Sequence, residues 1–489
     1  MIARPVSLAA LTVLIAAGSI NAGAIEVVFT NLPDHPSSLV PGADGERFRN
    51  PLAPFLDLHA SPNGAHWIFK AFTDNPDTNA NDVIVVGSGA TGLAVAQEGD
   101  PAPIAGLSYG FMDSDCGIND AGQYAFGNRL FGGDSSTDEI IFKFDGTDFV
   151  TVAREGDLAP GLADTGPTGD EVFGNSLNSA HVMNTGMVGF RAQIENVDSD
   201  MDIALYHDNK VIAQTNTDSK SRGFDGFAAG TFDADADGDN WIVEGDTDSS
   251  FSTTDAAVLN GVAMFQEGDL IGDFSSPVAG IFYLELAGNS DWYVRGDNLD
   301  DTGWIVRNGE VLLATDDPIT AGSDEHYTDS VYSTTFAVIS GNSVGDYLVV
   351  GSTDADDLNV NEVVVMNGET VLARKGDPID LNGDGLDNDD LYIGGFNAYD
   401  AFLTDAGDLY FFAALHNAAG DDLGDGFLRL LAGIGCPEDL TGDGFVDQAD
   451  LGELLASYGV DDGGDIDGDG DTDQADLGAL LGLFNQPCP

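Results

Sequence analysis

A short motif that recurs seven times constrains the fold of this chain more than any other feature. Each copy is a tight turn followed by a strand in which apolar residues alternate, and the copies lie roughly 50 to 65 residues apart. They are SPNGAHWIFKAF, INDAGQYAFGNRL, VMNTGMVGFRAQI, DADGDNWIVEGD, AGNSDWYVRGDN, SGNSVGDYLVVGS and LTDAGDLYFFAAL. Six turns have a glycine, at Gly64, Gly122, Gly186, Gly238, Gly345 and Gly407, and the fifth copy has Asn289 and Ser290 instead. Repeats of this length are typical of stacked or ring-shaped architectures.

A second motif lies between these copies and indicates a hairpin. DEIIFKFDGTDFVTVAREGDL and NEVVVMNGETVLARKGDPI are two of its six clear examples, with Asp-Gly or Asn-Gly turns between alternating strands. Each full repeat then supplies about four strands, which is the content of one propeller blade. We therefore expect a mostly β chain whose body, residues 25–434, is a seven-bladed β-propeller. A row of β-sandwich modules is the alternative architecture.

The two ends of this body predict how a ring would close. The last copy has its hairpin start, DGFLRLLAG, but no second strand. The segment AIEVVFTNLPDHPSS, which begins at Ala24, resembles the missing piece. An N-terminal strand that completes the last blade would remove an open sheet edge.

The composition is strongly acidic. The chain has 84 Asp and Glu against 16 Lys and Arg, a formal net charge of −68. Nucleic acid and anionic membranes are therefore poor candidates for partners. Hydrophobic residues make up 43% of the chain and aromatic residues 9%, so most of it should fold despite the charge.

The N-terminus is typical of a secretory signal peptide, residues 1–24. Arg4 precedes an apolar run from Val6 to Ala17, and small residues follow up to Ala24, with Ala22 as an alternative cleavage position. A membrane anchor is the alternative interpretation, but the run is shorter than the ~20 residues of a membrane-spanning helix. No later segment is apolar enough to span a bilayer. We expect a secreted protein, extracellular or associated with the cell surface, in a salty medium that screens its charge.

Two acidic loops near the C-terminus predict calcium sites. DLTGDGFVDQADLGELL starts at Asp439, and a near copy, DIDGDGDTDQADLGALL, starts at Asp465. Oxygen ligands at alternate positions, a central glycine and an acid at the twelfth position suit calcium, which takes six to eight oxygens. The predicted ligands are Asp439, Thr441, Asp443, the carbonyl of Phe445, Asp447 and Asp450 in one loop, and Asp465, Asp467, Asp469, the carbonyl of Asp471, Asp473 and Asp476 in the other. An acidic, glycine-rich tail without metal is the alternative.

An amphipathic helix should follow each loop. Apolar residues recur with helical spacing, and we expect the two stripes to pack together as a minimal core. The stripes are Leu451, Leu454, Leu455 and Tyr458 in the first helix and Leu477, Leu480, Leu481 and Phe484 in the second.

Two of the three cysteines flank this region. In an oxidising compartment, Cys436 and Cys488 would form a disulfide that joins the ends of a small module, with two free thiols as the alternative. Cys116 is left over, and we expect it to be a buried or incidental thiol rather than a nucleophile.

Residues 436–489 resemble a dockerin type I module, a duplicated calcium-loop and helix unit that docks secreted proteins onto cohesin domains. The resemblance implies that calcium is the cofactor and that a cohesin-like or other extracellular protein is the partner. It also implies that positions ten and eleven of each loop contact the partner. These are Gln448 and Ala449 in the first copy and Gln474 and Ala475 in the second. Their identity in the two copies predicts a near-symmetric docking face that can bind in either orientation.

Two other acidic segments are weaker calcium candidates. DLNGDGLDNDD offers Asp380, Asn382 and Asp384, but its twelfth position is Leu391 rather than an acid. DADADGDN, with Asp233, Asp235 and Asp237, falls at a repeat turn, and a solvated turn is the favoured interpretation.

The body offers no recognisable catalytic motif. Its repeats QEGDPAPI and REGDLAPG resemble those of uncharacterised secreted bacterial tandem-repeat proteins, a resemblance that implies export and repetition only. The seven histidines show no metal-ligand spacing, and chance pairs among 84 acids identify nothing. We therefore expect a secreted, non-catalytic binding or display protein with a calcium-dependent docking module. The alternative is a carbohydrate-active enzyme, a polysaccharide hydrolase or lyase on a propeller scaffold.

Overall fold

The chain folds into two compact units in a computed structural model. One unit spans Gly23–Ala432, and Gly433–Pro489 belongs to the other. The structure describes residues 24–43, 45–50, 53–162, 169–216, 224, 226–228, 231–246, 255–329, 335–382, 389–431, 438, 440, 445–460, 463–464, 466, 472–484 and 486–487. The predicted signal peptide, apart from Ala24, lies outside these residues. No helix in this part of the chain is long and apolar enough to span a bilayer.

The larger unit is a seven-bladed β-propeller, as the repeats predict. Its first strand is β1 (Ile25–Thr30), and a short 3₁₀ helix, Pro36–Ser38, follows it. Blade 1 contains β2 (Phe55–Ala60), β3 (Trp67–Phe72), β4 (Asp82–Ser88) and β5 (Thr91–Gln97). Blade 2 contains β6 (Ser108–Ile118), β7 (Tyr124–Phe131), β8 (Glu139–Phe144) and β9 (Phe149–Arg154). Blade 3 contains β10 (Val172–Val182), β11 (Val188–Glu195), β12 (Ile203–His207) and β13 (Lys210–Gln214).

Blade 4 differs because two short segments, β14 (Gly226–Phe227) and β15 (Asp233–Ala234), share the place of its first strand. They precede β16 (Trp241–Asp246), β17 (Asp255–Leu259) and β18 (Val262–Gln266). Blade 5 contains β19 (Val278–Leu286), β20 (Trp292–Asn298), β21 (Gly303–Arg307) and β22 (Glu310–Ala314). Blade 6 contains β23 (Phe336–Gly341), β24 (Tyr347–Ser352), β25 (Glu362–Met366) and β26 (Thr370–Arg374). Blade 7 is built from β1, β27 (Ile379–Asp380), β28 (Tyr392–Leu403), β29 (Leu409–His416) and β30 (Asp422–Leu430).

The N-terminal strand closes the ring, as the complementary ends predict. Strand β1 pairs antiparallel with β30, from Ile25 opposite Leu430 to Thr30 opposite Gly426. Strand β27 covers the other edge of β1 in a parallel pair. Phe29 of β1 packs edge to face against Trp67 of blade 1 and stacks on Phe427 of blade 7. The closure therefore buries aromatic surface as well as pairing an edge.

The repeated turns share one backbone conformation. The six predicted turn glycines all have positive φ, between 71° and 97°. In the fifth copy Ser290 has a φ of 69° and occupies the same place. Glycine is favoured at these positions because a side chain is strained in the left-handed region.

The Glu-Gly-Asp sequence is the link from one blade to the next. Gly99 donates its N–H to the carbonyl of Tyr109 at 2.8 Å, and Tyr109 donates its N–H to the carbonyl of Asp100 at 2.8 Å. Equivalent bonds join Gly156 to Phe173, Gly268 to Val278 and, in a Lys-Gly-Asp variant of the sequence, Gly376 to Ile393. In each pair the second residue lies in the first strand of the following blade. The repeated motif therefore has a structural role, because it connects neighbouring blades without a ligand.

The smaller unit contains β31 (Phe445–Val446), α1 (Gln448–Ser457), α2 (Gln474–Leu483) and β32 (Gln486–Pro487). The predicted helices are present, and Val446, Leu454 and Leu480 form the buried core of the described part. The predicted stripes are only partly buried, however. Leu455 is 55% exposed and Leu481 is 53% exposed, so neither belongs to the core. Leu451, Leu477 and Phe484 of the predicted stripes pack against this core and are partly buried.

Candidate functional site

The propeller encloses a cavity of about 210 Å³ at its axis, the axial cavity. The first strand of every blade contributes to its wall. Its polar lining includes His59, Asp115, Asp233, Tyr283 and Glu285. The sequence motifs identify none of these residues as functional. Asp233 alone belongs to a motif, the acidic turn DADADGDN.

Four carboxylates around the axis bind the main chain of the next blade. The first strand of a blade has one edge without a partner strand, so its N–H groups need other acceptors. The four bonds are Leu58 N to Asp400 Oδ1 at 3.1 Å, Ser179 N to Asp115 Oδ2 at 3.2 Å, Leu286 N to Asp233 Oδ2 at 2.9 Å, and Gly341 N to Glu285 Oε1 at 2.8 Å. We call these residues the axial carboxylates. They join blade 7 to blade 1, 2 to 3, 4 to 5, and 5 to 6.

Charged residues of the second and third strands connect the remaining junctions. Lys70 Nζ donates to the Met112 carbonyl at 2.6 Å between blades 1 and 2, and Arg191 Nε donates to the Phe227 carbonyl at 2.8 Å between blades 3 and 4. Between blades 6 and 7, Phe396 N donates to Glu362 Oε2 at 3.0 Å. Arg295 adds a second link between blades 5 and 6 through the Phe336 carbonyl. Every junction of the ring thus has an ionisable side chain that bonds to the next blade's backbone.

Burial changes the acidity of the axial carboxylates. It raises the pKa of Glu285 to about 8, of Asp400 to about 7 and of Asp233 to about 6. The Tyr283 hydroxyl donates to Glu285 Oε2 at 3.0 Å and favours the ionised form, but desolvation outweighs it. The pKa of Asp115 is also raised, mainly by burial and against the attraction of His59. The axial cavity therefore contains carboxyl groups that can hold a proton near neutral pH.

The register of the repeats could have revealed these residues. Asp57, Asp115 and Asp400 each lie seven positions before a turn glycine, and His59, His181 and Asp233 lie five positions before one. Glu285 lies five positions before Ser290, the residue that replaces the glycine. The seven first strands run side by side around the axis, and His59, Asp115, His181, Asp233 and Glu285 line the cavity. An alignment of the copies that includes the strand before each turn would have placed these residues at equivalent positions.

The acidic segment DADADGDN forms a repeat turn, as expected, in which Asp237 and Asp239 are exposed and Asp235 is buried. Asp235 is 3% exposed, and its Oδ2 accepts bonds from Asn240 Nδ2 at 2.6 Å and from Ser290 Oγ at 2.7 Å. The bond from Ser290 joins Asp235 to the turn of blade 5. Cys116 is buried as expected, and burial raises the pKa of its thiol.

The predicted calcium ligands lie partly outside the described residues. Those outside are Asp439, Thr441, Asp443, Asp465, Asp467, Asp469 and Asp471, and Cys436 and Cys488 also lie outside. Of Phe445 only the backbone is described, in β31. Asp447, Asp450, Asp473 and Asp476 are described and occupy equivalent places at the start of the two helices. The calcium ligands and the disulfide remain predictions.

The end of each loop has the same local structure. Asp447 caps α1, and the Asp450 carboxylate accepts the Asp447 N–H at 2.7 Å. Asp473 and Asp476 form the same capping box at α2, also with a 2.7 Å bond. Asp476 Oδ1 additionally accepts the N–H of Ile466 at 2.7 Å, which folds the second loop back onto its helix. Both twelfth-position carboxylates, Asp450 and Asp476, are 0% exposed.

The donor chemistry of this unit fits calcium. Residues 436–489 contain 14 acids and no Lys or Arg, so no side-chain cation of this segment can neutralise Asp450 and Asp476. Carboxylate oxygens are ligands that calcium prefers, and a bound cation is one of the ways in which a buried carboxylate is stabilised. No group of three His, Cys, Asp or Glu in the described part of the chain has metal-binding geometry. The fit of this unit to calcium therefore depends on the chemistry of its acidic residues.

The residues implied in partner contact are exposed. Gln448, Ala449, Gln474 and Ala475 all lie on the surface at the N-termini of the two helices. Leu455 and Leu481 are exposed one to two turns further along the same helices. The two copies therefore present equivalent side chains to solvent.

The weaker calcium candidate is described only in part. Asp380 is 2% exposed in β27, and Asn382 is exposed, whereas Asp384 lies outside the described residues. Asn382 Nδ2 donates to Asp389 Oδ1 at 2.9 Å, and Asp389 Oδ2 accepts the N–H of Leu381 at 2.8 Å. Asp389 thus organises the described part of this loop, and the calcium site stays a prediction.

The chain is similar to one family of unknown function and, at low sequence identity, to several solved structures. Residues 56–230 match the model of a family of unknown function, DUF7453. No curated protein matches the chain. Among solved structures, the WD40 β-propeller domain of Doa1 is 12% identical with a TM-score of 0.36, covering 83% of this chain and 96% of that domain. Puromycin hydrolase is 11% identical with a TM-score of 0.42, covering 83% and 57%. An acylaminoacyl peptidase from Pyrococcus horikoshii is 13% identical with a TM-score of 0.39, covering 76% and 52%.

Proposed function

We propose that this protein is a secreted binding or display protein whose C-terminal unit docks it, in the presence of calcium, to a cohesin-like or other extracellular protein. The observation that carries this proposal is the matched pair of helix starts. Asp450 and Asp476 are fully buried in identical capping boxes, and Gln448 and Gln474 are exposed beside them. The same arrangement occurs twice in one small unit, as expected for two metal loops that support one docking surface.

Calcium would act here by neutralising and organising the loops. Its chemistry is to gather carboxylate and carbonyl oxygens around one hard cation. Asp450 and Asp476 connect each loop to its helix through the bonds to Asp447 N and Asp473 N. Ordering a loop therefore also orders the first turn of the helix, which presents Gln448 or Gln474.

Binding of the full chain to a panel of purified type I cohesin domains tests this proposal. Surface plasmon resonance with calcium should detect a partner, and a chelator should abolish the signal. Because the two copies are equivalent, Gln448→Arg and Gln474→Arg should each leave binding largely intact, whereas the double variant should lose it. Gln486→Arg, at an exposed position in β32, is the matched control. Binding that persists in chelator or in the double variant, or the lack of any partner in the panel, would contradict the proposal.

A second candidate function, a carbohydrate-active enzyme, is favoured by the axial cavity. Glu285 lines this cavity and Asp400 precedes the lining residue Ala401, and the raised pKa of each suits a group that donates a proton near neutral pH. Their bonds to Gly341 N and Leu58 N already give both a structural role, which is why this candidate stands second. Incubating the full chain with a panel of polysaccharides, and measuring retention as well as new reducing ends or unsaturated products, separates a binder from an enzyme.

A further inference from the structure

A groove lies between blades 1 and 2, beside the outer strand of blade 1. Its volume is about 700 Å³, within the ~300 to 1,000 Å³ that is typical of ligand sites. Its walls are strand β5, the link that connects the two blades and the outer hairpin of blade 2. We call it the inter-blade groove, and it is lined by Gly42, residues 94–97 and 100–103, Tyr109, Asp148 and Phe149.

The link between blades 1 and 2 leaves this space open. At the junction between blades 4 and 5, the link packs closely against the outer strand of the next blade, where a Cβ atom on Gly272 would lie 2.8 Å from Val311 Cγ2. Between blades 1 and 2, the link has Pro101 and Pro103 at exposed positions. The groove lies between these prolines and Phe149 of the outer hairpin.

Strand β5 faces the groove with its edge. It is the last strand of the blade 1 sheet, so one of its edges has no partner strand in the described part of the chain. Consecutive side chains of a strand point to opposite faces, so four consecutive residues, 94–97, can line one groove only along an edge. Ala94 donates its N–H on this edge to the Pro41 carbonyl at 2.7 Å. The edge therefore already has one backbone partner, and a strand edge is a template for pairing with another segment.

We propose that the inter-blade groove binds an extended basic peptide, which adds as a strand along β5. The peptide backbone would bond to the edge, and its alternate side chains would lie on opposite sides. Val95, Pro101 and Phe149 offer apolar surface for one set of side chains. Asp100 and Asp148 are exposed, and the residues that line the groove include no Lys or Arg. Lysine or arginine side chains therefore suit the other set.

The length of the groove sets the length of the peptide. Four strand residues span about 13 Å at ~3.3 Å per residue, so a segment of about four to six residues would fill the groove. The site would give the propeller a partner of its own. It depends on β5 and its neighbours rather than on the calcium loops, so this proposal and the docking proposal can fail separately.

Fluorescence polarisation of the full chain with labelled basic hexapeptides tests this proposal. The probes alternate lysine with valine, leucine or phenylalanine, in physiological salt that screens general attraction to the acidic surface. At least one probe should show saturable binding. The same peptide with N-methyl groups on its backbone amides keeps its charge but cannot pair with a strand edge. Its affinity should fall by about tenfold, as expected for the loss of one or two hydrogen bonds.

Two alanines of the same link provide a matched steric test. Ala102 lines the groove, whereas Ala105 is exposed and is not part of the lining. Ala102→Trp should fill the groove and lower the affinity by about tenfold or more. Ala105→Trp should retain the affinity of the unsubstituted chain. Thermal unfolding checks that both variants fold.

A second pair of variants tests the charges without changing the core. Asp100→Asn combined with Asp148→Asn should weaken binding, because it removes the two exposed carboxylates of the groove. Glu310→Gln combined with Glu369→Gln removes two exposed charges in other blades and should not.

Three results would overturn the proposal. The first is that no probe shows saturable binding. The second is equal affinity for the N-methylated peptide, which would indicate charge attraction alone. The third is that the folded Ala102→Trp protein and the double asparagine variant bind as tightly as the unsubstituted chain.

Discussion

Glu26 and Arg429 lie 403 residues apart in the sequence and form an ion pair, with Glu26 Oε2 2.6 Å from Arg429 Nη2. The pair joins β1 to β30 and thus connects the first strand of the propeller to the last. Beside it, Phe29 is buried among aromatic residues of blades 7 and 1. The segment that follows the predicted signal peptide therefore closes the ring.

Removing this segment should destabilise the whole propeller. Deletion of residues 25–32 opens blade 7 and exposes the edge of β30, so the urea midpoint should fall sharply. Phe29→Ala alone should cost about 3 to 5 kcal/mol, as large-to-small changes of buried aromatics do. Glu26→Gln is the milder comparison, with about 1 kcal/mol or less, because the ion pair is partly exposed. Unfolding of the deletion variant at the urea concentration of the intact chain would show that β1 does not close the ring.

Lys70 should be important for the junction between blades 1 and 2. It is 2% exposed, bonds to the Met112 carbonyl and lies 2.8 Å from Asp82 Oδ2. Lys70→Met leaves a buried carboxylate without its cation and should cost about 3 to 5 kcal/mol. Adding Asp82→Asn should recover part of that loss, which chemical denaturation of the single and double variants can measure. Equal stability of Lys70→Met and the original chain would rule out this role.

The propeller should be more stable in mild acid than in base. A carboxyl group whose pKa is raised on folding binds more protons in the folded state, between its unfolded pKa near ~4 and its folded pKa. For Asp233, Asp400 and Glu285 the folded values are about 6, 7 and 8, so their contribution is lost as the pH rises through this range. Calorimetry should therefore give a higher melting temperature at pH 5 than at pH 9.

A substitution of Glu285 distinguishes the effect of the raised pKa values from the general repulsion among the negative charges of an acidic chain. Glu285→Gln should reduce the difference in melting temperature between pH 5 and pH 9, because it removes the group with the highest pKa of the three, about 8. Glu310→Gln removes the same charge at an exposed position and should leave the difference nearly unchanged. The account would be wrong if both variants had the same pH profile.

A disulfide between Cys436 and Cys488 remains a prediction. Strands β31 and β32 pair Phe445 with Pro487, so the residue before Cys488 lies beside the first loop. A closed loop of about fifty residues contributes on the order of 4 kcal/mol in the chain-entropy model. Mass spectrometry of the unreduced protein after digestion should detect the linked peptides. Alkylation of both thiols without reduction would refute the bond.

The parts of the fold that repeat were predictable from the sequence, because each depends on local chemistry. Turn glycines with positive φ and apolar alternation define the seven blades, and the incomplete last copy indicated its completion by β1. The axial carboxylates were not predictable in the same way. Asp115 bonds to Ser179, 64 residues away, and that contact depends on how neighbouring blades pack. The exposure of Leu455 and Leu481 likewise depends on the angle at which two short helices meet.

Chelation should unfold the C-terminal unit before the propeller. Without calcium the loops bring several carboxylates together, and each pair at ~4 Å repels by roughly 4 kcal/mol at an effective dielectric near 20. A core of Val446, Leu454 and Leu480 is too small to absorb several such terms. Chymotrypsin should then cleave after Tyr458 in chelator and not in calcium, while the propeller stays intact in both. Equal resistance in the two conditions would contradict the coupling of calcium to folding.

Calcium stoichiometry tests the central claim most directly. Calorimetric titration of the chelated full chain should show two sites in the C-terminal unit, with one lost in Asp450→Ala, one lost in Asp476→Ala and both lost in the double variant. Asp447 and Asp473 keep their bonds to the N–H groups of Ala449 and Ala475 in these variants, but the reciprocal bonds to Asp450 and Asp476 are lost. Circular dichroism must therefore show that both helices are retained before the loss is assigned to the twelfth ligand. If the double variant binds calcium with the stoichiometry and affinity of the original chain, the two loops are not calcium sites and the docking proposal fails.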